Sequence, residues 1–492
     1  MSAAATVHAP SESPAAAKGQ RRALNSGWIG RLPSTVIWAT FGWVAGLSRL
    51  NDNSFLIHLR TGHWILDHGI PHHDIYSFTF PGISWVAQSW LAEVLYALLD
   101  RSAGPVAIRL VNGLTGAVIA VLAARLATRA RGGGRTGPLV LPAVAVSAML
   151  WAERPLLFGV AAMLALVWIV ELPDSFAGRH ARVAVPLLMW FWVNTHGTFM
   201  LGFGYLALHL AGRWWDGAPP WRARELSLLQ GTLLAFGAAV VNPYGVRLLL
   251  FPLELMGRGE ALDYVQEWKS PDFRAPMGIA FALFVLIFFV VLARAEPRPD
   301  RRDLVVAIPF LFLGFWALRN LAVTPLVCLP IAARLLGERP SAAPSRRRLA
   351  WTWLALVPSL LVFAAVIGQR AASEPGLALG KYPVQGMRAV EQRGLLGHRL
   401  LTTDEWGAYV IHAYWPRQRV FMDDRFDMYP VPFTVDYMKA VQGRAQWRGL
   451  LDRNRIDVVV WPVRTPLGEI LGEADGWTRV HQDATASVFV RR

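Results

Sequence analysis

Asp52, His58 and Arg60 fall within one short stretch, SRLNDNSFLIHLRTGHWILDHGIPHHD (48–74), directly after the apolar run LPSTVIWATFGWVAGL. A carboxylate at the end of an apolar helix can act as a general base toward a hydroxyl, or help hold a divalent cation, without the cost of full burial. Asp74, Gln88 and Glu93 follow in the same connection, and comparable groups stand in ERP (Glu153, Arg154), NTHG (Asn194, His196), VNPYG (Asn242, Tyr244) and RN (Arg319, Asn320). Arg154 and Arg319, with Arg60 as a third, carry the planar fork of donors that suits a phosphate. Plainer roles exist for each. Asp52 can cap the helix after it, Arg154 and Arg319 can snorkel, His196 can pack beside a permissive Gly197, and Asn242 with Pro243 and Gly245 can end a helix. In MDDRFDMY, Arg425 is expected to pair with Asp424 or Asp427 at a strand end, acceptor binding being the other reading. His72, His73 and Asp74 are neighbours whose side chains diverge in an extended loop, which argues against a zinc site.

The elements that must position these groups are apolar. Of 492 residues, 54% are hydrophobic and only 17% charged, a composition outside ordinary soluble usage. The net charge of +15 comes from arginines clustered between apolar runs, which fits membrane topology and not nucleic-acid binding. The single cysteine, Cys328, lies inside an apolar run, so no intramolecular disulfide can form.

About eleven apolar runs approach the length that crosses hydrocarbon. Their approximate spans are 33–50, 105–127, 137–152, 155–172, 183–195, 198–213, 226–242, 275–293, 303–318, 320–336 and 349–368. Every second connection is basic, starting with Lys18, Arg21 and Arg22 in the tail, which places residues 1–32 in the cytoplasm as a disordered tail. The polar groups named above then share the outer side, and an ionisable group at membrane depth marks a site by default. The loop 51–104 carries apolar residues at mixed three and four spacing, the pattern of amphipathic helices lying in the interface, with Trp64, Trp85 and Trp90 as anchors.

From about residue 370 the character changes to short β-branched strands alternating with helices, an α/β domain spanning 370–492 on the outer face. The expected fold class is therefore an α-helical polytopic protein of the plasma (inner) membrane, its transmembrane part at 33–369, with an extracytoplasmic α/β cap.

The stretch DNSFLIHLRTGHWILDHGIPHHDIYSFTFPGISWVAQSWLAEVL resembles the first periplasmic loop of bacterial polytopic membrane proteins of the GT-C glycosyltransferase superfamily. ERPLLFG, WFWVNTHGTFMLG, VNPYGVRLLLFPLEL, VQEWKSPDF, ALRNLAVTPL and WGAYVI with VFMDDRFDMY are similar to the same group, in order along nearly the whole chain. The resemblance implies a GT-C-like transferase that uses a lipid-linked sugar donor and an extracytoplasmic acceptor. It makes Asp52 the catalytic acid, with His58, Arg60, Asp74, Glu93, Arg154, Asn194, His196 and Arg319 as candidate substrate contacts. One departure stands out: Ser54 occupies the place of a second acid, and Leu56 and Ile57 that of a tryptophan pair. No metal ligand is assigned, a divalent cation being compatible with Asp52 alone. The alternative reading is a non-catalytic membrane protein, either a transporter of lipid-linked intermediates or an envelope scaffold.

Overall fold

The computed structural model of the protein describes residues 32–47, 49–133, 135–296, 298–337, 346–373, 376–444 and 446–492. The tail read as disordered and most of the basic loop GERPSAAPSRRR lie outside these residues.

Each apolar run is a helix, the form in which a segment without polar neighbours satisfies its own backbone groups. Helix α1 (Leu32–Gly46) leads into α2 (Asn53–His68) and α3 (Trp90–Ala103), both inside the first long connection. The bundle continues through α4 (Pro105–Ala130), α5 (Gly137–Ala148), α6 (Leu156–Glu171), α7 (Ala181–Thr195), α8 (Phe199–Trp215) and α9 (Ala223–Ala239). After α10 (Val246–Met256) come α11 (Pro276–Ala293), α12 (Arg301–Trp316), α13 (Thr324–Leu335) and α14 (Arg346–Ser373). By length and composition, α4 and α11 are long and apolar enough to cross a membrane, while α5, α6 and α13 are apolar but shorter. Close approach of α1 and α4 depends on glycine: a Cβ on Gly42 would lie 2.2 Å from the carbonyl oxygen of Gly116.

The C-terminal part contains α15 (Val384–Gln392), β1 (Leu400–Leu401), α16 (Asp404–Tyr414), α17 (Val431–Val441) and α18 (Trp447–Arg453). It ends with β2 (Val458–Pro462), α19 (Pro466–Glu473), β3 (Trp477–Gln482) and β4 (Ala486–Arg491). The sheet is mixed, in the order β1-β2-β4-β3, with β1 parallel to β2 and the other pairs antiparallel. Val458, Val459, Val460 and Trp461 of β2 are all buried, as a central strand covered on its faces requires.

Two cores result. One lies within the bundle and contains Val160, Met189, Phe281 and Cys328. The other joins the first connection to the C-terminal part, packing Phe55, Tyr76 and Trp85 with Tyr409, Met422 and Val459. The backbone reinforces this contact, since Phe78 N–H donates to the Val420 carbonyl at 3.0 Å and Val420 N–H to the Tyr76 carbonyl at 3.1 Å.

Of the three tryptophans expected as interfacial anchors, Trp85 is packed inside protein instead, while Trp64 and Trp90 are half-buried. Trp85 is only 4% exposed and lies beneath the Arg425 guanidinium at 4.5 Å, while the Trp90 indole N–H donates to Asn194 Oδ1 at 2.7 Å. Trp64 stacks on His68 and meets Trp415 edge-on. An apolar helix face is the same whether it meets lipid or protein, and here the C-terminal part supplies a protein partner. The pairing of Arg425 is corrected too: it binds Asp423 and, from the first connection, Asp74.

The bundle has two differently built polar ends. At one, Glu171 closes α6 against Arg302 of α12 and Arg334 of α13, with Asp303 completing a buried ionic ring. The other end bears the first connection, the C-terminal part and the candidate site.

Candidate functional site

Asp52 sits just ahead of α2 in extended conformation, and its Oδ1 accepts the Phe55 N–H at 3.1 Å. This is the helix cap that an aspartate at such a position provides. Its other oxygen, Oδ2, accepts from Arg154 Nε at 2.8 Å and from a terminal nitrogen of the same guanidinium at 2.7 Å. The Asp52 N–H in turn donates to Glu153 Oε1 at 2.8 Å. The capping role and the site role are thus held by one side chain, and connections a hundred residues apart in sequence are joined at it. The remaining side of the Arg154 guanidinium is taken by Glu267. Both Asp52 oxygens are thus engaged by donors, one of them cationic.

A second group of residues lies beside this pair. The ring of His196, at the end of α7, is close enough to Arg319, His58 and Arg154 for their charges to act on it. His196 Nδ1 meets the Thr198 hydroxyl at 2.9 Å, and a Cβ on Gly197 would strike the Gln88 amide oxygen at 2.6 Å. Gly197 therefore makes room for Gln88 as well as for the turn. The Arg319 guanidinium stacks over Trp268 at 4.6 Å and makes no ion pair among the described residues. Arg154 and Arg319 repel one another, and carboxylates balance only the first. Two neighbouring guanidiniums, one uncompensated, form a place where an anion is favoured.

His58 Nδ1 lies 2.8 Å from Glu93 Oε1, so these two candidates form a pair. Three others are drawn elsewhere. Arg60 donates to the Trp415 carbonyl at 2.9 Å and lies over that ring. Asp74 accepts from Tyr76 N–H, Ser77 N–H, the Ser77 hydroxyl and Arg425, which joins the first connection to the C-terminal part. Burial works against its charge, yet Arg425 and the Ser77 hydroxyl hold the Asp74 carboxyl below the usual carboxylate range. Asn194 accepts from Trp90 and donates to the Trp190 carbonyl, and so fastens α7 to α3.

Two further acids enter: Glu267, which the sequence had not singled out, and Asp424, expected to pair with Arg425 or to bind an acceptor. Glu267 belongs to VQEWKSPDF, where an acid in a long outer connection could have been weighed like the others. Asp424 arrives from the C-terminal part, its Oδ2 accepting from the Ser54 hydroxyl at 2.5 Å and Asn53 Nδ2 at 2.8 Å. A carboxyl is thereby restored beside the position where Ser54 replaces an acid. Burial pushes the Asp424 carboxyl up to about 7, against the opposing effect of the Ser54 hydrogen bond.

The donor set does not fit a divalent cation. Asp52 and Glu267 converge on the Arg154 guanidinium and not on a common point, and no group of three or more His, Cys, Asp or Glu suited to a metal occurs among the described residues.

No protein-family model matches the chain, and no curated protein matches it. Its three-dimensional structure is similar to the archaeal oligosaccharyltransferase AglB from Archaeoglobus fulgidus, solved in complex with an inhibitory peptide and a dolichol-phosphate. That match has a TM-score of 0.53 and 11% identity, covering 93% of this chain and 74% of the other. ArnT from Cupriavidus metallidurans, in the apo state, matches with a TM-score of 0.53 and 14% identity over 95% of this chain and 98% of that one. At such identities the likeness is one of fold alone, and it extends over nearly the whole of this chain.

Proposed function

We propose that this chain is a membrane glycosyltransferase moving a sugar from a polyprenyl-phosphate-linked donor to an extracytoplasmic glycan, lipid or protein. The observation that carries the reading is the meeting of Arg154 and Arg319 at one end of the bundle, with acids balancing only the first. Support comes from the fold, shared with a protein solved with dolichol-phosphate. In this reading the donor phosphate lies against Arg319 and the exposed part of Arg154, its tail running between helices.

Asp52 is a positioning residue here. It holds Arg154 through two charge-assisted hydrogen bonds and anchors the start of α2, so that the cation meets the phosphate oxygen on which charge grows as the glycosidic bond breaks. Asp424 closes the site from the C-terminal side through Ser54 and Asn53.

Mass spectrometry of lipid co-purified with the full-length protein tests the proposal. A polyprenyl phosphate is expected, retained by wild type and lost from Arg319→Ala. Protein that carries no such lipid and does not bind added undecaprenyl phosphate overturns it.

A further inference from the structure

We propose that His58 is the catalytic base that takes the proton of the acceptor hydroxyl, with Glu93 as the residue that positions it, an assignment that rests on the transfer reading above. Transfer to a hydroxyl needs a proton acceptor, and the Asp52 oxygens already receive Phe55 N–H and Arg154. His58 is differently placed. Its Nδ1 lies 2.8 Å from Glu93 Oε1, and an ionised carboxylate only accepts, so Nδ1 carries the hydrogen and Nε2 keeps its lone pair. Among the described residues Nε2 has no hydrogen-bond partner, and it is not sealed off, the side chain being 24% exposed.

The surroundings of Glu93 give the pairing a direction. Its side chain is 2% exposed, and Oε2 is buried with no hydrogen-bond partner among the described residues. The Glu93 oxygen that faces the imidazole N–H holds the ring in one tautomer and one orientation. The contact is built into the backbone: a Cβ on Gly62, one turn beyond His58, would lie 1.9 Å from the Glu93 carbonyl oxygen. Only glycine lets α2 approach α3 this closely. His58 also faces the site, lying close enough to His196 to act on it when protonated, as Arg319 and Arg154 do. On its other side α2 packs against α16, whose His412 feels Arg60, Asp100 and His63. Glu93 is thus the titratable group in contact with His58, and His196, beside Arg154 and Arg319, lies near it on the site side.

The acceptor hydroxyl proton passes to His58 Nε2 while its oxygen bonds to the anomeric carbon. The bond from that carbon to the lipid phosphate oxygen breaks, and its electron pair leaves on the phosphate beside Arg154 and Arg319. The imidazolium, paired with Glu93, then releases the proton to solvent.

Full-length protein in liposomes, supplied with undecaprenyl-phosphate-linked hexoses and synthetic alkyl glycosides, tests the assignment. His58→Gln and His58→Ala should lose about 100-fold or more in kcat while binding undecaprenyl phosphate as wild type does. Glu93→Gln should retain that binding and lower kcat with KM unchanged, and Glu93→Asp, which keeps the acceptor, should recover part of the loss. A His58→Gln variant with kcat near wild type overturns the assignment, as does loss of undecaprenyl-phosphate binding in step with turnover, or a Glu93→Gln variant with wild-type kcat. These results leave the transfer reading standing. Wild-type protein that turns over none of the donors sinks that reading, and the dyad with it.

Discussion

At the scale of single residues, the site is organised by one ion pair with divided duties. Asp52 caps α2 with one oxygen and holds Arg154 with the other, so loss of either partner should disturb the same cation. Asp52→Asn and Arg154→Gln are each expected to reduce turnover by about 100-fold, in the range of losing one transition-state donor. The double variant should lose little more, because contacting residues are not additive; additive losses in a reconstituted assay would show that the two act separately. Asp424 supplies a pH dependence. Its carboxyl is raised from 3.8 to about 7, so between those values the folded protein holds a proton that the unfolded chain has released. Stability therefore falls as pH rises through that window. Asp424→Asn, which stays neutral, should flatten that fall, leaving the variant with the higher melting temperature at pH 8; identical pH slopes for both proteins would refute the shift.

At the scale of elements, the decisive contacts are those where backbones touch. The α2–α3 approach at Gly62 and the α1–α4 approach at Gly42 leave no room for a side chain. Gly62→Ala should cost about 1–3 kcal/mol, as overpacking does, and should also weaken the contact between His58 and Glu93. Thermal unfolding measures the first and kcat the second; a variant unchanged in both would mean that the helices can part without consequence. The sequence conveyed that α2 and α3 are amphipathic, yet not what their apolar faces would meet. Periodicity reports a face, and burial depends on a partner supplied by residues hundreds of positions away.

At the scale of the whole molecule, the first connection and the C-terminal part act as one body seated on the bundle. Arg425 joins them, held by Asp423 and Asp74 and stacked on Tyr76 and Trp85. Arg425→Met leaves two buried carboxylates without their cation, a change expected to cost about 3–5 kcal/mol. Limited proteolysis should then cut the C-terminal part more readily than in wild type, with the bundle intact; equal protection would place the join elsewhere. The opposite end has its own clamp in Glu171, Arg302, Asp303 and Arg334, so the two ends can respond independently to substitution.

The sequence alone determined the helical runs, the strand-bearing C-terminal part and the separation of polar connections from basic ones, because hydrophobic periodicity and charge placement are local properties of a chain. It also marked Asp52, His58, Glu93, Arg154, His196 and Arg319 as groups needing a reason to exist among apolar helices. Only the tertiary structure decided that Asp52 is bound by Arg154, that His58 meets Glu93, that Asp74 and Arg60 belong to the C-terminal contact, and that Asp424 comes to Ser54. Which charge lies beside which is set by packing between segments distant in sequence, and a distance of a few ångströms separates a proton acceptor from a salt-bridge anchor.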